Sequence, residues 1–270
     1  MMTLIKLPQA KEIVSEIESD ANHARFVQNK NGLSIVYCDT LKSHFYKFIH
    51  MVENKNPETT RSGIDNIKEQ FQNEMAALGY LKYLGIHGPE HFSGGLFDKS
   101  LSRIPPFFLE QSLYTAIIAT AQLKGCSYQD IAKDRTIDAA KRQGWLDRMR
   151  CTLVVDRVIL RDFDRTNTNN SLFDKETEQI NQYDFNNANV IHPDYHDYPD
   201  WREISWRQYT RDTAVDRSAV INMLNEKARI LDSNKKDLGS SPYKLFSSRL
   251  KSNMDFVATS SLFVDAKPSC

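Results

Sequence analysis

The sequence predicts an α+β protein in two parts, strand-rich first and helix-rich second. Three observations carry this. Two β-leaning runs, ARFVQ and LSIVYCD, flank a polar NKNG turn, and a third run, SHFYKFIHMV, follows at Ser43–Val52. From Asn66 to Tyr83 the apolar spacing lengthens to three or four residues, at Ile67, Phe71, Met75, Leu78 and Leu81, which is a helical period. Beyond Arg103–Gln111 the stretches QSLYTAIIATAQL, SYQDIAKD and GWLDRMRCTLVVDRVIL read as helices. The expected domains are residues 1–105, an antiparallel sheet with one helix, and residues 106–270, mainly helical.

Taken in order, Glu12–Ser19 reads as a short amphipathic helix with Ile13, Val14 and Ile17 on one side. In the third β-run, Phe45, Lys47 and Ile49 share one face, and Tyr46, Phe48 and His50 share the other. ENKNPETTRSG reads as a polar loop, and Gly85 and Pro89 close the helix after it. The Pro-containing RIPPFFLEQ segment is the expected hinge. SLFD and INQYDF form a hairpin around KETEQ. The aromatic run Tyr195, Tyr198, Trp201 and Trp206 reads as a packed helix, since no basic excess marks a base-stacking platform. The Ser/Lys-rich stretch from Asp232 to Ser252 reads as a loose end.

Composition narrows the function classes. With 270 residues, the chain suits one large domain or two lobes. Its 40% hydrophobic and 26% charged content excludes wholesale disorder and coiled coil. Lys and Arg number 35 and Asp and Glu 35, so the zero net charge indicates no direct nucleic-acid binding. No apolar run reaches the ~18 residues of a membrane span. The N-terminus turns acidic without an apolar core segment, so no secretory signal is expected. Four scattered cysteines without a CxxC argue against zinc and for reduced thiols in the cytoplasm. His192 and His196 are separated by Pro193, which disfavours a helical metal pair.

The stretch from Arg161 to Val190, RDFDRTNTNNSLFDKETEQINQYDFNNANV, concentrates the chemistry. A polar loop with Asp164, Arg165, Asn169 and Asn170 follows an apolar helix, and Asp184 ends the hairpin after it. Phosphoryl transfer needs this set: one carboxylate to orient a hydroxyl and take its proton, and an amide oxygen with a second carboxylate to hold Mg²⁺. Alone, DRTNTN reads as a turn, because Asn and Asp satisfy their own backbone there. A second DRT at Asp134 has Ala139 in place of the Asn and reads as a solvated helix start.

The loop resembles the catalytic segment of the HipA-like kinases, in which DRT or DRH is followed by Asn five residues after the Asp, a hairpin and a further Asp. A similar DRH…N…DFG order occurs in phosphatidylinositol kinases. The resemblance spans Phe26 to Leu231 in element order, with its specific motif at Asp164–Asp184. It implies a two-lobed protein-kinase-like fold, with Asp164 as catalytic base, Arg165 bracing the loop, and Asn169 and Asp184 as Mg²⁺ ligands. It further implies Lys47 on the phosphates of ATP, Glu74 holding Lys47, and Gly32 in a phosphate-covering turn. Read only as residues, a strand Lys is also an ordinary edge charge and a helix Glu an ordinary solvated one. Asn186 stands where the family has Gly, and Thr166 where many relatives have His. No GxxxxGK[ST] motif occurs, which excludes the P-loop class.

The implied activity is ATP- and Mg²⁺-dependent phosphorylation of a Ser or Thr hydroxyl on a protein. By the same resemblance, the substrate is a translation factor or aminoacyl-tRNA synthetase, and the regulator is antitoxin-like, as in toxin–antitoxin pairs. A lipid or small-molecule kinase and an inactive pseudokinase that binds nucleotide or a partner are the alternatives.

Overall fold

Strand residues alternate between faces, so a strand covered on both sides loses its two-residue hydrophobic rhythm. That effect governs the first half of this chain. The computed structural model describes residues 3–19, 24–30, 34–39, 44–52, 57–98, 103–104, 107–108, 112–162, 168–185, 187–191, 206–207, 209–210 and 215–265. They fall into two units. One comprises Met1–Gly79 with Pro89–Leu123, the other Tyr80–Gly88 with Lys124–Cys270.

The first unit is built on six strands: β1 (Thr3–Leu4), β2 (Ala24–Lys30), β3 (Ser34–Asp39), β4 (His44–Val52), β5 (Phe92–Phe97) and, after a short β6–β7 pair (Arg103–Ile104, Phe107–Phe108), β8 (Ser112–Ala121). The sheet order is β1-β5-β8-β4-β3-β2, antiparallel except between β1 and β5. The hairpin expected around NKNG is the β2–β3 pair.

β8 corrects one expectation. QSLYTAIIATAQL was expected to be helical, yet it forms a ten-residue strand between β4 and β5. Tyr114 through Ala119 are all buried. With both faces covered, the apolar run is continuous and its period says nothing about strand or helix. The two units divide at 123/124, where the expected division was 105/106, and Arg103–Ile104 pairs with Phe107–Phe108 within the first unit's range.

Two helices cover this sheet. α1 (Leu7–Ser19) sets Ala10, Val14 and Ile17 against Tyr46, Phe48, Ile117 and Ala119. α2 (Pro57–Tyr80) begins nine residues before the expected Asn66, within the stretch read as a polar loop. Pro57 suits a first helical turn because its missing N–H is not needed there, and Glu58 favours the positive helix end. Gly94 of β5 allows α2 to approach, since a Cβ there would lie 2.7 Å from Met75 Sδ and 2.8 Å from Phe71. A 3₁₀ turn, Leu81–Leu84, extends α2 and ends at Gly85, whose φ of 62° needs no Cβ accommodation.

The second unit centres on α4 (Ala139–Leu160). Asp138 caps its start, accepting from the N–H groups of Ala140 and Lys141. Every residue from Leu153 to Leu160 is buried, including Asp156 and Arg157. Around it lie α3 (Tyr128–Lys133), a sheet of β9 (Cys126–Ser127), β10 (Ser171–Phe173) and β11 (Ile180–Gln182) ordered β11-β10-β9, and α5 (Arg217–Ser233), α6 (Lys235–Leu238) and α7 (Ser240–Thr259). β10 and β11 form the expected hairpin.

The stretch expected to be loose is largely helical: α6 and α7 run through it. Phe246, Arg249, Leu250, Asn253 and Val257 form one buried stripe at helical spacing. Two members are polar, which hides the stripe from a hydrophobic pattern. Arg249 is kept by donating to the carbonyls of Ile159 (3.1 Å) and Asn189 (2.7 Å), and Asn253 accepts from Trp206 Nε1 at 3.2 Å. Trp206 is fully buried, in line with a packed aromatic rather than a platform; Tyr195, Tyr198 and Trp201 lie outside the described residues, as do His192 and His196. Among the described residues, no helix is long and apolar enough to cross a membrane.

Candidate functional site

In the first unit, β4 places Lys47 on the face opposite Tyr46 and Phe48, towards α2. There Lys47 Nζ donates to Glu74 Oε2 at 2.7 Å, with the side chains 13% and 5% exposed. Across the sheet Lys47 stands opposite Ile118 of β8 and Val36 of β3. The pair thus links the middle of the sheet to the helix. An ammonium held this far from water is suited to meeting a second anion, because low dielectric strengthens each attraction it makes.

In the second unit the local frame is made by the end of α4. Arg161 adopts a left-handed φ of 52°, with its N–H on Val158 O, while Asp162 N–H reaches back to Arg157 O at 2.9 Å. This is a Schellman-type helix end in which Arg takes the place usually given to Gly. The chain then enters residues 163–167, so Asp164 and Arg165 lie outside the described residues; so does Gly32.

The loop reappears at a 3₁₀ turn, Thr168–Asn170, where Ser171 Oγ donates to Thr168 O at 3.0 Å. Tyr183 joins this turn to the end of β11. Its N–H donates to Asn170 O at 3.1 Å and its hydroxyl donates to Asn169 O. Tyr183, the residue before Asp184, thus ties the turn of Asn169 to the end of the hairpin. Burial raises the Tyr183 hydroxyl pKa, the Asp184 charge raises it further, and Arg157 opposes both. The phenol stays protonated and able to donate.

Asp184 has a left-handed φ of 63°. A non-Gly residue held there costs about 1–3 kcal/mol unless its surroundings fix it, with Asp among the more tolerant types. One side chain reaches both peptide groups that flank Asp184. Arg157 Nη2 donates to Tyr183 O at 2.7 Å, Nη1 to Asp184 O at 2.9 Å and to the Asp162 carboxylate, and Nε to Gln182 Oε1 at 3.2 Å. Its guanidinium also lies 4.1 Å from the centre of the Phe185 ring. Behind it, Gln182 Nε2 donates to Asp156 at 2.5 Å, and Asp156 forms an ion pair with Lys227 at 2.7 Å. Lys227 also donates to Gly85 O at 2.7 Å. Asp156, Arg157, Asp162 and Gln182 are all essentially inaccessible.

These five supporting residues, Asp156, Arg157, Asp162, Gln182 and Lys227, were not among the candidates from sequence. A signal was present: in CTLVVDRVIL an Asp-Arg pair interrupts an apolar helical run, and charges in such a run must be partnered once buried. The second DRT differs from a helix start. Asp134 follows the last residue of α3 and accepts from Thr136 and from Lys175 at 2.7 Å, so it braces a turn, while Asp138 is the helix cap.

Among the described residues no three His, Cys, Asp or Glu side chains converge. Asn169 and Asp184 carry side-chain oxygens of the kind Mg²⁺ takes, an ion that uses one or two carboxylates and completes its shell with water and phosphate. No protein-family model matches the chain, and no curated protein does either. Among solved structures it is similar to a MAP kinase from Leishmania major, at 13% identity and a TM-score of 0.38, over 96% of this chain and 75% of that one. A likeness that loose carries no functional argument.

Proposed function

We propose that the chain is an ATP- and Mg²⁺-dependent kinase of HipA-like type that phosphorylates a Ser or Thr hydroxyl on a protein. The observation that carries this reading is the sheltered ion pair between Lys47 on a central strand and Glu74 on the covering helix. Phosphoryl transfer by a kinase-type site uses such a pair, the Lys meeting the α- and β-phosphates and the Glu holding it in place. The segment from Asp164 to Asp184 supplies the other half of the inventory, and the tie from Tyr183 to Asn169 and Asn170 supports the pairing of Asn169 with Asp184 as ligands.

In the proposed reaction Asp164 orients the acceptor hydroxyl and receives its proton. The hydroxyl oxygen forms a bond to the γ-phosphorus as the bond to the β,γ-bridging oxygen breaks, and ADP leaves with that electron pair. Asn169 and Asp184 would hold Mg²⁺, which would supply neutralisation of phosphate charge. Lys47 holds the phosphates in line and Arg165 braces the loop. The rate gain would come from positioning and charge complementarity. A translation component as substrate and an antitoxin-like regulator belong to the same HipA-like reading.

The test is ATP binding by calorimetry with and without Mg²⁺. The wild type is expected to bind tightly only with the metal, and Asp184→Ala to lose the metal-dependent part. Asp134→Ala, in the other DRT, should bind like the wild type. A phosphotransfer assay with Asp164→Ala then separates catalysis from binding. ATP bound equally well without Mg²⁺, together with an unchanged Asp184→Ala, would remove the metal assignment; no ATP binding at all would remove the kinase reading.

A further inference from the structure

Two peptide groups flank the Cα of Asp184, and their orientations are what its φ and ψ describe. Arg157 donates to the carbonyl of each: Nη2 to Tyr183 O at 2.7 Å and Nη1 to Asp184 O at 2.9 Å. We propose that Arg157 is the positioning residue for Asp184, fixing the left-handed backbone that carries the metal-binding carboxylate. The proposal rests on the nucleotide and metal reading above.

The side chain is itself immobilised. Its Nε donates to Gln182, its Nη1 also to Asp162, and its face lies on Phe185, so with the two carbonyls four of the five N–H groups of a rigid fork are committed. Gln182 is in turn anchored through Asp156 to Lys227 of α5. Arg157 is fully buried and about a helical turn before the end of α4, so it touches no solvent and has no reach to a substrate. Its partners include consecutive residues from Gln182 to Phe185, the turn that contains Asp184. A buried Arg serving packing alone would need acceptors, but not the two carbonyls that straddle the positive-φ Asp184. Lys cannot replace it, because a point charge on a flexible stem cannot reproduce a planar fork.

The test uses the full chain and two variants, Arg157→Lys and Gln182→Met, with the Mg²⁺ concentration for half-maximal enhancement of ATP binding as the readout. Metal-free ATP affinity and melting temperature are measured alongside. Loss of a residue that orients a metal ligand typically costs about 10–100-fold in metal affinity, so Arg157→Lys should raise the half-maximal Mg²⁺ by at least about tenfold while metal-free ATP affinity stays unchanged. Gln182→Met keeps the volume but removes the Nε acceptor, and should shift the same quantity less and in the same direction. Should Arg157→Lys fail to fold, Gln182→Met decides: a raised metal requirement sustains the proposal and an unshifted one overturns it. A lower melting temperature with unchanged metal dependence would assign Arg157 to packing alone and overturn it as well. A wild type whose ATP binding ignores Mg²⁺ would instead overturn the metal reading, and this proposal with it.

Discussion

Replacing Lys227 by Met should destabilise the protein by about 3–5 kcal/mol at neutral pH, the usual consequence of removing one partner from a buried ion pair. Lys227 and Asp156 lie 2.7 Å apart with side chains 9% and 1% exposed, so the variant leaves the Asp156 carboxylate with Gln182 as its hydrogen-bond donor in a dry site. The Gly85 carbonyl also loses its 2.7 Å donor, worth roughly another 1 kcal/mol. Against a typical total of about 5–15 kcal/mol, this is a large share. Its pH dependence has a definite sign. Burial raises the Asp156 pKa above the ordinary 3.8, and the Lys227 charge pulls it back. A carboxyl raised by folding contributes stability that is fully present below the unfolded value and is lost as pH climbs through the folded one. Removing Lys227 lifts the folded value further, so the deficit should widen from about pH 4 to about pH 7.5. Urea unfolding followed by circular dichroism at both pH values measures it. The double variant Lys227→Met/Asp156→Asn should recover most of the loss, because no buried carboxylate is left without its cation. A deficit below about 1 kcal/mol at neutral pH, or one that grows in acid, would refute the reasoning.

Two further changes test the first unit. Gly94→Ala should cost about 1–3 kcal/mol by overpacking, since the new Cβ meets Met75 and Phe71 well inside contact distance, and thermal melting reads it; an unchanged melting temperature would mean that α2 does not press on β5 there. Lys47→Met should weaken Mg²⁺-ATP binding about ten- to hundredfold by removing a charged donor to phosphate, and calorimetry with a matched melt separates that loss from unfolding.

Periodicity and turn signals located α1, the β2–β3–β4 strands, α2, α4 and the β10–β11 hairpin. They misassigned β8, covered on both faces, and α7, whose buried stripe contains Arg249 and Asn253. At the candidate site the sequence shows the residue types Lys47, Glu74, Asn169 and Asp184 in order, and the resemblance alone gave them roles. What brings Lys47 to Glu74 is the face of β4 turned towards α2, a matter of strand register.

The support beneath Asp184 depends on partners far apart in sequence. Arg157 and Asp184 are 27 residues apart, and Lys227 meets the Gly85 carbonyl across 142. Which carbonyl a buried guanidinium finds depends on how α4, the hairpin and α5 pack, and no local propensity encodes that choice. The sequence by itself determined an α+β chain of balanced charge with a phosphotransfer-like set of residues in order. Only the tertiary structure decided that β8 completes the sheet, that Lys47 meets Glu74, and that a buried Arg holds the turn of Asp184. The physical reason is that residue type and spacing are local properties, whereas burial and hydrogen-bond partners are set by contacts between distant segments.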